Sequence, residues 1–169
     1  MKEVNMESLN KNIAEYRKQL KKGEIQKAYK GLMKYMMDLR SHFKNKYPDY
    51  SVSGSIYYGY MDMTYFPLFP GLLKRQKLKI AVVFVHETSQ FEVWLSGSNK
   101  QVQKKYWKLF KESNWNKYYI PSNIEGIDSI IEHTLVDKPD FSDLDTLKKQ
   151  IDKGTLEFIK DVENFLAGY

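Results

Sequence analysis

The residues best equipped for chemistry in this 169-residue chain are three histidines, a few carboxylates beside them, and a cluster of tyrosines around one aspartate. His86 follows the apolar run Leu78–Val85 and precedes Glu87, while His133 follows Glu132 inside a second apolar run, 130–136. If those runs are neighbouring strands, His86, Glu92 and His133 could meet, and two imidazoles with a carboxylate suffice for a divalent metal or a general acid–base pair. The spacing carries no local signature, because ligand histidines on a helix sit at a fixed offset such as i and i+4, so ordinary strand-end histidines are the favoured reading. His42, beside Arg40 on a basic helix, reads as a surface residue. Asp62, flanked by Met61 and Met63, is out of place in a strand and needs a partner. A backbone bulge or an ion pair with Lys79 would supply one. The functional alternative is a ligand-orienting acid in a cleft lined by Tyr58, Tyr60, Asp62 and Trp94.

A basic and aromatic group forms the third candidate. Lys100, Lys104, Trp107 and Lys108 fall in one helical stretch, and cations interleaved with an accessible ring are what a nucleic-acid surface requires. Tyr106 lies on the inward stripe of that helix and leaves Trp107 as its one exposed ring, so nucleic acid is possible but not favoured. Other chemistry is excluded. The chain has no cysteine, hence no disulfide, thiolate metal site or cysteine nucleophile. Phosphate-cradling glycine loops, serine nucleophile elbows and dinucleotide fingerprints are absent, and no cofactor is expected.

These groups need elements to hold them. From Leu78 to Val85 every residue but Lys79 is apolar, which predicts a strand buried on both faces. Four polar residues follow, then Phe91, Val93 and Leu95 alternate with Glu92, Trp94 and Ser96, so the two runs form a central hairpin. Upstream, Met6, Leu9, Ile13, Tyr16 and Leu20 mark a helix over about 5–22, ended by Gly23. Ile25 to Phe43 carry the stripe of a second helix, and the short connection predicts an antiparallel helical hairpin. Residues 51–66 read as a tyrosine-rich strand or bent pair, broken by Pro67 and Pro70. Gly97-Ser98 reads as turn and cap of a third helix, 130–136 as a fourth strand, and a long last helix begins near Asp143 with Gly154 as its weak point. The expected class is α+β: a mostly antiparallel sheet of four to five strands, helices packed mainly on one face, and a single domain over 1–169.

Charge is unevenly spread behind the net +6. Residues 1–50 hold twelve Lys or Arg against six Asp or Glu and 97–120 hold six against one, whereas 121–169 hold five against eleven. Solvated helix faces of opposite sign explain this without a partner. The polar start and the lack of a long apolar run predict a cytoplasmic protein without a membrane segment.

The order helix, three strands, helix, strand resembles the core of the restriction-endonuclease-like nucleases. That resemblance implies an aspartate on one central strand and a carboxylate-x-lysine triplet on the next, holding a divalent metal. Here the triplet position reads Glu92-Val93-Trp94, and the preceding strand has no aspartate. An active nuclease is therefore not expected, although a degenerate relative survives the objection. Over residues 28–37, Tyr57-Tyr-Gly-Tyr-Met-Asp-Met-Thr-Tyr65, Phe91-Glu-Val-Trp-Leu95 and Glu132-His-Thr-Leu-Val-Asp137, the chain more closely resembles a family of uncharacterised bacterial single-domain proteins of this length. That resemblance implies a soluble bacterial protein and supplies no activity or catalytic residues. The expectation is a non-enzymatic binding protein using a tyrosine-rich sheet face for a small ligand or protein partner. A metal-dependent hydrolase and a nucleic-acid binder are the alternatives, and the oligomeric state is open.

Overall fold

The computed structural model describes residues 6–52 and 54–169, with side chains from Ser8 onward. Residue 5, the side chain of Met6 and Ser53, which the expected first helix and tyrosine-rich strand include, lie outside the described residues. Two compact units divide the chain, one ending at Met37 and one beginning at Asp38.

The first unit contains α1 (Met6–Lys22) and most of α2 (Glu24–Lys46), an N-terminal helix pair. The single residue between them, Gly23, has φ 78°, a left-handed conformation that glycine adopts without a Cβ penalty. Its N–H donates to the Leu20 carbonyl at 3.1 Å, and Gln26 Nε2 donates to the same oxygen at 2.7 Å. Orphan carbonyls at the end of α1 are satisfied in this way.

The second unit is built on a four-stranded antiparallel sheet in the order β1-β2-β3-β4. Its strands are β1 (Met63–Leu68), β2 (Leu78–Val85), β3 (Gln90–Gly97) and β4 (Ser129–Val136). The predicted hairpin, β2 with β3, takes the two central places. Ile80, Val82 and Phe84 pair with Leu95, Val93 and Phe91, all buried on the core face. Around that face stand the last turns of α2, the helix α4 (Lys100–Glu112) and the long α5 (Leu144–Leu166). Phe43 of α2 meets Phe66 of β1 at 5.9 Å, and Phe110 of α4 stacks on Phe165 of α5 at 4.4 Å. The short α3 (Gly71–Arg75) links β1 to β2 and buries Leu73.

Three local expectations change. Pro67 does not break the strand; it lies inside β1 opposite Ala81, because β1 is an edge strand and an edge can spare a donor. Residues 57–62 are a turn rather than a strand: Tyr57 and Tyr65 form an isolated bridge across it, Gly59 has φ 70° and Met61 φ 61°. The N-cap of α4 is Asn99, whose side chain accepts from the Val102 N–H at 2.9 Å. Asp143 caps α5 in the same way, from the Thr146 N–H at 3.1 Å.

Candidate functional site

The face of the sheet away from the helices carries every second residue of each strand, and its centre is Ala81. Register places Ala81 between Trp94 on β3 and Pro67 on β1, with Tyr65 on the diagonal, opposite Val83, and Lys79 opposite Ser96 on the row the other way. A small residue bordered by these larger side chains leaves a hollow. The result is a pocket of about 240 Å³ lined by Met63, Tyr65, Lys79, Ala81, Trp94 and Ser96, and closed at one end by the first turn of α4. The Lys79 ammonium lies 5.8 Å from the centre of the Tyr65 ring and makes no ion pair among the described residues. Burial pushes the Tyr65 hydroxyl above its ordinary pKa, and the negative charge of Asp128 pushes the same way. Asp128 itself is paired with Lys100 at 3.1 Å, and the Lys100 ammonium also donates to the Ile127 carbonyl at 2.6 Å.

The opposite wall is fixed by two devices. Trp94 Nε1 donates to Glu92 Oε2 at 2.6 Å, which holds the indole in place. Burial raises the Glu92 pKa, the Trp94 bond lowers it, and nearby Glu132 raises it again, the net effect being upward. At the α4 end, Gln103 is buried and its Nε2 donates to the carbonyls of Ile127 at 2.9 Å and Ser129 at 3.0 Å. That amide ties α4 to the strand end, and no periodicity argument pointed to it, because a polar residue on the inward stripe is indistinguishable in sequence from one on the rim.

Of the residues expected to line a cleft, only Trp94 borders this pocket. Tyr58, Tyr60 and Asp62 sit in the 57–62 turn, where Tyr60 is 92% exposed. The Asp62 carboxylate accepts from the Tyr60 N–H at 2.8 Å, which is the turn-closing role open to a short acid. That bond, together with one from the Met63 N–H, holds its pKa below the usual carboxylate value. No ion pair joins Asp62 to Lys79 among the described residues. The tyrosine that does reach the hollow is Tyr65, on the alternate face of the expected strand.

His86, Glu92 and His133 are not brought together. His133 is the register partner of Val93 and faces the helices, 4.6 Å from the Tyr118 ring and parallel to Phe158 at 6.4 Å. Glu92 points to the opposite face, opposite Thr134. His86 Nε2 lies 2.9 Å from Thr64 Oγ1, whose hydroxyl donates to the Tyr58 carbonyl at 2.8 Å, so the imidazole nitrogen donates to that oxygen and steadies the turn. Among the described residues no group of three His, Asp or Glu side chains could hold a metal ion. Within the lysine-rich set, Lys104 and Lys108 are exposed, Lys100 is bound as above, and Trp107 is half-buried with Nε1 donating to the Pro121 carbonyl at 2.8 Å.

One polar cluster was not anticipated. Asp152 of α5 is only 6% exposed and receives hydrogen bonds from His42 Nε2, from Lys46 Nζ at 3.2 Å and from Tyr47 Oη at 2.7 Å. His42 is thus a partner of α5 rather than a solvated surface residue.

The chain belongs to the DUF7000 family, a domain of unknown function, which matches residues 9–166. No curated protein and no solved structure matches it. With a family that names no chemistry, the functional reading rests on the pocket at Ala81. No described helix is long and apolar enough to cross a membrane.

Proposed function

We propose that this is a non-enzymatic, soluble binding protein that takes a small, planar, anionic molecule on its open sheet face. The observation that carries this reading is that two rings, Tyr65 and Trp94, border one pocket floored by Ala81, with the Lys79 ammonium on the next row. Ligand sites are concave, mostly apolar, and oriented by a few polar groups, and this hollow has that composition. The rings offer stacking surfaces to a flat group. Lys79 and the positive end of α4 suit its negative charge, and the carboxylate at the pocket's edge, Asp128, is paired with Lys100. No nucleophile paired with a base lines the hollow, which favours binding over turnover. Cytoplasmic location belongs to this proposal, as does the bacterial source implied by the sequence resemblance.

Aromatic carboxylates and nucleoside monophosphates are suitable probes in a thermal-shift series. A true ligand at about one hundred times its Kd stabilises the fold by roughly 2.7 kcal/mol. Lys79→Met and Trp94→Ala should each abolish that shift, whereas Tyr60→Ala in the exposed turn should keep it. Stabilisation that persists in both pocket variants, or no stabilisation by any compound of this class, sinks the reading.

A further inference from the structure

The apolar stripe of α1 is solvated: Leu9 is 41% exposed, Ile13 54% and Tyr16 58%. From Ser8 to Lys22 only Gln19 and Leu20 are even partly covered. A helix in a protein draws most of its stability from packing its apolar face, and the seventeen residues of α1 have little such packing. Something covers this stripe in the working protein, and its pattern says what. Leu9, Ile13, Tyr16 and Leu20 are spaced by four, three and four, the narrow seam of a coiled coil rather than the broader face that packs onto a globular core. The positions flanking the seam are Asn10, Asn12, Arg17 and Gln19, three of them uncharged amides. Lys11, Glu15, Lys18, Lys21 and Lys22 all fall on the far side, where Glu15 and Lys18 approach each other at 4.0 Å.

We infer that α1 pairs with α1 of a second copy of the chain. Flanking charges are what direct a helix to an oppositely charged partner, and this seam has none but Arg17. In a parallel pair Arg17 faces Asn12, and in an antiparallel pair Asn10, so two copies meet without like-charge repulsion although the helix is strongly basic. The same distribution argues against an anionic membrane, for which cations bordering the apolar stripe would be needed, and only Arg17 is there. Ile25, 39% exposed on α2, can extend the apolar contact beyond Gly23. With so short a seam the interface falls below the ~1,200 Å² of a standard complex, so association is concentration-dependent.

Sedimentation equilibrium over a rising concentration series tests the inference on the full chain. The wild type should pass from 20.1 kDa towards twice that mass. Ile13→Gln, which keeps a good helix former, should hold the chain at the monomer mass with the far-ultraviolet spectrum of the wild type diluted to monomer. Lys18→Gln, on the far side, should still dimerise. A monomer at every concentration overturns the proposal. So does a dimer that survives Ile13→Gln, since the interface then lies elsewhere. Ile13-dependent binding to phosphatidylserine vesicles by a protein that is monomeric in solution would overturn it as well and assign the stripe to a lipid surface.

Discussion

Asp152 is the carboxylate on which most depends. Burial alone would raise its pKa, but hydrogen bonds from Tyr47, His42 and Lys46 outweigh burial and hold it below the usual value. A carboxylate depressed in the folded state stabilises above its unfolded value, and the contribution is lost as pH falls through the folded one. Asp152→Asn should therefore cost about 2 kcal/mol at pH 7, the worth of a charged hydrogen-bond set, or roughly 4–8 °C in Tm for a chain of this size. The gap between variant and wild type should close as pH falls below 4, and a gap that stays constant would refute the assignment. The imidazoles act higher on the pH scale. Burial lowers the pKa of both His86 and His133, against the pull of Asp62 and Glu157 respectively. Below pH 6.5 the unfolded chain binds protons first, so stability drains away down to the folded values. His133→Phe, which keeps a ring against Tyr118, should flatten the part of the Tm–pH curve between pH 7 and 5 that His133 supplies; an unaltered slope would mean the ring titrates freely. None of these partnerships could be read from the sequence. His42 and Asp152 are 110 positions apart, and only the packing of α2 on α5 makes them neighbours.

Elements were far more legible than side-chain partners. The central hairpin follows from eight residues with one charge and then strict alternation, because a period of two fixes the face of every side chain. What misled was the tyrosine-rich segment: rings enriched in strands sit at 57, 58 and 60, yet Gly59 and Asp62 are turn formers, and they decided the backbone. Glycine has two opposite meanings elsewhere. A Cβ added at Gly97 would lie 2.7 Å from the Gln103 nitrogen and 3.1 Å from its Cα, backbone that cannot move aside, so α4 docks on β3 through this gap. Gly97→Ala should cost about 1–3 kcal/mol by overpacking. Gly31, inside α2, has nothing within 4 Å of such a Cβ, and Gly31→Ala should gain roughly 0.5–1 kcal/mol from helix propensity. Denaturant midpoints measured side by side check both signs. Gly154, which reads as a flaw in the last helix, instead gives room to Leu135, whose Cδ2 would lie 2.7 Å from an added Cβ.

At the scale of the whole molecule the question is whether a net charge of +6 amounts to a nucleic-acid surface. The family match over 9–166 carries no chemistry, so charge and accessible rings must decide. Single-strand binding needs bases stacked on open aromatic faces as well as cations. The lysine helix α4 presents Lys104 and Lys108, but the indole of Trp107 is tied to Pro121, and the Lys111 ammonium stands over it at 5.1 Å. Lys100 is engaged by Asp128. The acidic last third of the chain further limits the field that the basic segments project. What remains is counterion-type attraction, sequence-blind and strongly weakened by salt, in the range of roughly 10⁻⁴–10⁻⁶ M. Fluorescence anisotropy with a random single-stranded oligonucleotide should accordingly show binding near the weak end of that range. It should fall with salt and weaken further in Lys104→Ala with Lys108→Ala, while Trp107→Ala leaves it unchanged once the fold is matched. A loss of tenfold or more on Trp107→Ala, at constant salt and with an unaltered melting curve, would mean that the ring opens to stack a base, and would move the functional site from the open sheet face to α4.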